Sequence, residues 1–188
     1  MTSTLGVKSP DAAAGGPRRL LGVAASAADH PAVFALALVA TGAALLSPLW
    51  ITRYLPAVDL PQHLFLVRVL GELREPGAFF GATYVARPGL TYLTFYYSVA
   101  ALGRVVGVET AMRLCLSAVV LAYPLALWAL ASALRRSRWL ALLAAPLAFT
   151  DNFYWGLVSF HTSVPLVLLS IAAFIRVLEE REPAGWGG

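Results

Sequence analysis

The run Pro31 to Trp50, PAVFALALVATGAALLSPLW, holds twenty residues without a charge, and no other feature narrows the possible folds so far. As an α-helix it is about 30 Å long, the thickness of a bilayer's hydrocarbon core. Three further stretches extend the pattern. Thr110 to Leu134 carries Arg113 as its sole charge, near enough to the end to snorkel, and Pro124, which should kink it. Trp139 to Thr150 is too short to cross alone and is expected to continue through Phe153, Tyr154 and Trp155. Gly156 to Ile175 is charge-free apart from the titratable His161.

The expected fold is therefore all-α, a polytopic helical membrane protein. It has about four transmembrane helices near residues 31–50, 110–134, 138–155 and 156–176, plus an interfacial helical outer loop over 51–109. Composition agrees, because 59% apolar residues, 13% charged residues and a mean hydropathy of +0.73 lie outside the range of soluble domains. Residues 31–178 form the membrane domain. The Ala-, Gly-, Ser- and Pro-rich stretch 1–30 reads as a disordered cytoplasmic tail, with a signal peptide as the rival reading of LLGVAASAA after Arg18 and Arg19. Residues 179–188 form a second cytoplasmic tail.

Arginine positions orient the spans. Arg18 and Arg19 precede the first, and Arg135, Arg136 and Arg138 form the densest basic loop, so the positive-inside rule puts both termini in the cytoplasm. That assignment holds if Gly89 to Gly103, fifteen residues with Tyr92, Tyr96 and Tyr97, lies in the outer interface rather than crossing. The net charge of +4 does not indicate nucleic acid, since the arginines separate apolar runs instead of sharing one face with aromatics. Cys115 is the sole cysteine and lies in an apolar run, which excludes an intrachain disulfide. There is no P-loop, dinucleotide fingerprint or His-Glu-x-x-His pair, and no internal repeat.

Chemistry concentrates in Pro56 to Glu75, PAVDLPQHLFLVRVLGELRE, where polar groups follow directly on the first span. Asp59 with Gln62 fits a capping box, and Pro61 suits the first turn of the same helix. The other reading is functional: His63 follows Asp59 by four residues, so carboxylate and imidazole share a helix face and can meet a divalent metal or a phosphate-bearing ligand. Two such groups need further ligands from substrate, water or another acid such as Asp151. Asp151 beside Asn152 is either a turn or an acid at the outer interface, on the same side as Asp59. Arg53, Arg68 and Arg87 are available on that side for phosphate or for lipid headgroups. His161 with Thr162 and Ser163 reads as interhelical hydrogen bonding.

The first span, the D-L-P-Q-H stretch at Asp59, the aromatic segment from Tyr92 to Tyr97, the arginine turn at Arg135 and the acid at Asp151 together resemble the amino-terminal part of GT-C class membrane glycosyltransferases. That class transfers sugars from polyprenyl-phosphate donors on the outer face. The resemblance covers about residues 31 to 178 and is one of layout. It implies a catalytic or metal-binding role for Asp59, Asp151 as a second acid, and His63, Arg53, Arg68 and Arg87 near the substrate. It further implies a polyprenyl-phosphate sugar and membrane lipid as partners, with a divalent metal as the conceivable cofactor. The location expected is a bacterial inner (plasma) membrane. Because the class usually has more spans, the chain is expected to be a fragment, a truncated reading frame or a degenerate paralogue of such an enzyme. The competing hypothesis is a non-enzymatic small membrane protein, either a subunit associating with other membrane helices or part of a transporter. Pro124, Pro146 and Pro165 are the only hints of a transporter's broken helices.

Overall fold

A computed structural model of the chain describes residues 30–55, 57–73, 75, 77, 79–87 and 93–181, and every regular element among them is helical. The expected disordered tail, apart from His30, lies outside the described residues, as do Tyr92 and residues 182–188. Helix α1 (Pro31–Ile51) is followed by α2 (Leu60–Glu72), a 3-10 turn at Phe79–Ala82, α3 (Leu93–Val106) and α4 (Val108–Ala133). Two 3-10 segments, Arg138–Ala144 and Pro146–Phe149, then lead to α5 (Asp151–Trp155) and α6 (Val158–Arg181). Internal contacts divide the chain into residues 1–37 and 38–188. In the first unit, His30 Nδ1 accepts from the Ala32 amide at 3.3 Å as α1 begins. The second unit holds the remainder of α1 and every other element.

Three helices, α1, α4 and α6, are long and apolar enough to cross a membrane. Each contains a proline that deletes one amide donor, yet a carbonyl in hydrocarbon has no water to turn to. Two of the freed carbonyls have found other donors. Pro48 frees the Ala44 carbonyl, which accepts from the Ser47 hydroxyl at 2.9 Å. Pro165 frees the His161 carbonyl, which accepts from the hydroxyl of Tyr123 on α4 at 3.1 Å. The same Tyr123 oxygen lies 2.9 Å from His161 Nδ1, so one phenol meets both the ring and the carbonyl of His161. The Tyr123 and His161 rings stack at 4.7 Å, and His161 is buried.

The directions of the long helices follow from which residues meet. A Cβ on Gly42 would lie 3.3 Å from Leu121, and Trp50 Nε1 donates to Ser117 Oγ at 3.0 Å, so residue numbers rise on α1 as they fall on α4. These two are antiparallel. On α4 and α6 the numbers rise together, Tyr123 meeting His161 and Arg135 meeting Glu179 at 3.4 Å, so that pair is parallel. A shared core joins Leu49, Phe95, Met112, Leu116, Val120 and Phe153.

Residues 138–155 differ from the continuous helix expected there. Pro146 removes an amide donor, and the flanking amides close shorter rings instead, Ala145 to the Leu142 carbonyl and Ala148 to the Ala145 carbonyl, each at 3.2 Å. Ala141, Ala144 and Ala148 are buried, and these small side chains let the 3-10 segments pack on α4. α4 itself ends in a Schellman motif: the Arg136 amide reaches the Ala131 carbonyl at 2.7 Å and the Arg135 amide reaches Ser132 at 3.1 Å. Arg135 accordingly takes the left-handed conformation at φ 53°. α6 continues to Arg181, past the expected end near 176, because Glu179, Glu180 and Arg181 are good helix formers that need no lipid to stay helical.

Candidate functional site

Asp59 precedes the first residue of α2, but the capping box does not form. Its backbone sits at φ −85°, ψ 2°, whereas a capping side chain needs the extended region to swing over the first-turn amides, and Pro61 has already removed one of those donors. The carboxylate makes no cap hydrogen bond and remains half-exposed. It opens instead on a cleft of about 300 Å³ whose walls include His63, Tyr96, Gly156, Val158 and Phe160.

His63, one turn along the same face, is held from two sides. Its Nε2 lies 2.6 Å from the Gly156 carbonyl and its Nδ1 lies 2.6 Å from the Tyr96 hydroxyl. A carbonyl only accepts, so the neutral ring carries its proton on Nε2 and takes the Tyr96 proton on Nδ1. The imidazole thereby ties α2, α3 and the α5–α6 turn together. Gly156 is required at this junction, since φ 86° is left-handed and a Cβ there would lie 3.0 Å from Asp59 Cβ and 3.1 Å from the Asp59 nitrogen. The Val58 amide adds a bond to the Tyr154 carbonyl at 2.8 Å. Burial, and secondarily the Asp59 charge, push the Tyr96 phenol above its ordinary value.

The remaining expected site residues do not converge on this cleft. Asp151 is exposed in the first turn of α5 and is not part of the cleft wall. Arg53 lies 5.6 Å over the Tyr54 ring and borders a separate cleft of about 470 Å³ with Pro61, Glu109 and Arg113. Arg68 pairs with Glu109 at 3.4 Å, both mostly exposed, an arrangement of little energetic weight. Arg87 borders an apolar groove of about 300 Å³ between α2 and α3. Arg113 is committed to structure rather than snorkelling: it donates to the Leu49 carbonyl, to Thr52 at 3.1 Å and to Arg53 at 2.7 Å, closing the carboxyl end of α1.

The donor set does not fit a divalent metal. Asp59 is the one carboxylate at the cleft, both His63 nitrogens are engaged, and no group of three or more His, Cys, Asp or Glu converges among the described residues. Tyr96 and Gly156, the two partners of His63, were not singled out as site residues by the sequence. Tyr96 stood out there only as a member of the interfacial tyrosine segment, and Gly156 only as the first residue of the last apolar run. No protein-family model, curated protein or solved structure matches the chain. Any functional assignment therefore has to come from the cleft itself.

Proposed function

We propose that the chain crosses a bacterial inner membrane four times, with both termini cytoplasmic, and uses Asp59 on the outer face as the base of a glycosyl transfer from a polyprenyl-phosphate sugar. Two features support four crossings. The parallel run of α4 and α6 requires the chain between them to return along the bundle, and the 3-10 and helical pieces of 138–155 come to about 30 Å at their usual rises. The arginines of 135–138 then fall on the inner side, in keeping with the positive-inside rule.

The observation that carries the reaction is the state of Asp59: a carboxylate at a helix start that makes no cap bond and opens on a cleft whose imidazole is clamped by the protein. In the proposed step an acceptor hydroxyl attacks the anomeric carbon. Its proton passes to the Asp59 carboxylate as the new C–O bond forms, and the bond from that carbon to the phosphate oxygen breaks with its electrons on the leaving phosphate. Arg53, which borders the neighbouring cleft together with Pro61 of the first turn of α2, is the guanidinium assigned to that charge in this reading. His63 serves as a positioning residue, and Asp151 has no part in the step.

The test uses the longest natural form of the protein reconstituted with a polyprenyl-phosphate sugar and measures sugar transfer to lipid or protein acceptors. Asp59→Asn keeps the size of the side chain and is expected to lower turnover by about 100-fold or more. Full transfer by that variant would reduce Asp59 to a structural residue and remove the enzymatic reading.

A further inference from the structure

The groove between α2 and α3 is distinct from the Asp59 cleft in what lines it. Leu66, Val69 and Leu70 of α2 face Val85 and Leu93 across it, and Arg87 is its one charged residue. Arg87 is exposed and forms no ion pair among the described residues. Tyr96 borders both cavities, and because its hydroxyl is spent on His63 Nδ1 its ring stands as a fixed partition between them.

An apolar trough beside a bilayer, closed at one side and carrying one guanidinium, is matched by an alkyl chain that ends in a phosphodiester monoanion. A lipid-linked sugar shares that chemistry, but its reacting end belongs at Asp59, on the other side of the Tyr96 partition. We propose that this groove holds one acyl chain of an anionic bilayer phospholipid, with its phosphate on Arg87, as a resident structural lipid. The inference rests on the membrane reading of the chain and not on the transfer reaction. It assigns Arg87 to lipid rather than to the sugar donor.

The experiment is native mass spectrometry of the full chain released from vesicles of equal parts phosphatidylglycerol and phosphatidylcholine, with membrane insertion checked in the same preparation. The wild type is expected to retain one phosphatidylglycerol. Arg87→Gln removes about 1 kcal/mol of headgroup attraction, so retention should fall about fivefold. Ala86→Trp fills the groove from an exposed position, and should abolish retention while leaving insertion intact. Equal retention by wild type and both variants, or no preference for phosphatidylglycerol, would overturn the proposal. Displacement of the phospholipid by undecaprenyl phosphate added in equal amount would also overturn it, and would return the groove to the donor. Failure of these outcomes with Asp59→Asn still inactive leaves the transfer reading standing, so the two fail separately.

Discussion

Tyr123→Phe is a one-oxygen deletion with two consequences, because the phenol serves the His161 carbonyl and His161 Nδ1 at once. That carbonyl has no amide to fall back on, since the residue four positions on is Pro165. Hydrogen bonds between membrane helices average about 0.6 kcal/mol and reach about 1.7. A buried polar group left without a partner costs about 1–3 kcal/mol. Two such groups on a histidine 1% exposed put the expected loss at about 2 kcal/mol. Pro165→Ala supplies the missing amide donor to the same carbonyl, so in that background Tyr123→Phe should cost about 1 kcal/mol less. The assay is a double-mutant cycle on reversible unfolding in mixed micelles, titrated with a denaturing detergent. Strict additivity of the two substitutions would show that the Tyr123 hydroxyl does not stand in for the proline's absent N–H, and the account of how α6 tolerates Pro165 would fall.

Gly156→Ala should destabilise the fold by about 1–2 kcal/mol from the left-handed backbone alone, and further because the new methyl meets the Asp59 backbone; unfolding at or above wild-type stability contradicts the close approach. For Tyr96, the folded phenol titrates above its ordinary value of 10.0, so its stabilising contribution is complete below that pH and is lost as pH rises through the folded value. The ultraviolet difference titration between wild type and Tyr96→Phe should show a midpoint above 10.0 that falls in the Asp59→Asn background, and a midpoint at or below 10.0 would be incompatible with a half-buried phenol near a carboxylate. Reporter fusions after Arg138 and after Gly188 are expected to report the cytoplasm, and one at Glu75 the outside. An outside signal at Arg138 is irreconcilable with four crossings.

How far the fold could be read from the chain depended on how local each determinant was. The ends of α1 and α4 fell within one or two residues of expectation, because a charge-free run and its flanking residues are properties of consecutive positions. The broken course of 138–155 escaped notice: an apolar run has the same hydropathy whether it winds as 3-10 or α, and only the amide deleted at Pro146 marked the difference. At the cleft, the shared face of Asp59 and His63 was visible from their spacing of four. The partners of His63 were not, since Tyr96 and Gly156 lie 33 and 93 residues away and meet it only through packing. The capping-box pattern at Asp59 misled for a physical reason, because the motif specifies residue types while the cap depends on a backbone angle this residue does not adopt.

The guanidinium of Arg113 bears on the order in which the protein is made. The carbonyls it closes at Leu49, Thr52 and Arg53 emerge from the ribosome 60 to 64 residues before it does. At elongation rates of about 5–20 residues per second, that gap is several seconds in which the Leu49, Thr52 and Arg53 carbonyls lack this donor, while the Pro48 carbonyl has a local one, the Thr52 hydroxyl at 2.7 Å. Through that interval α1 can sit in the membrane, but nothing fixes the angle at which the chain leaves it, and α2 with Asp59 hangs from an open end. Arrival of α4 ends this state, Arg113 closing three carbonyls while Ser117 takes the Trp50 indole. The Asp59 carboxylate therefore acquires its position late, from a residue in the next long helix, and a nascent chain halted before residue 113 should carry Asp59 in an accessible, unassembled form.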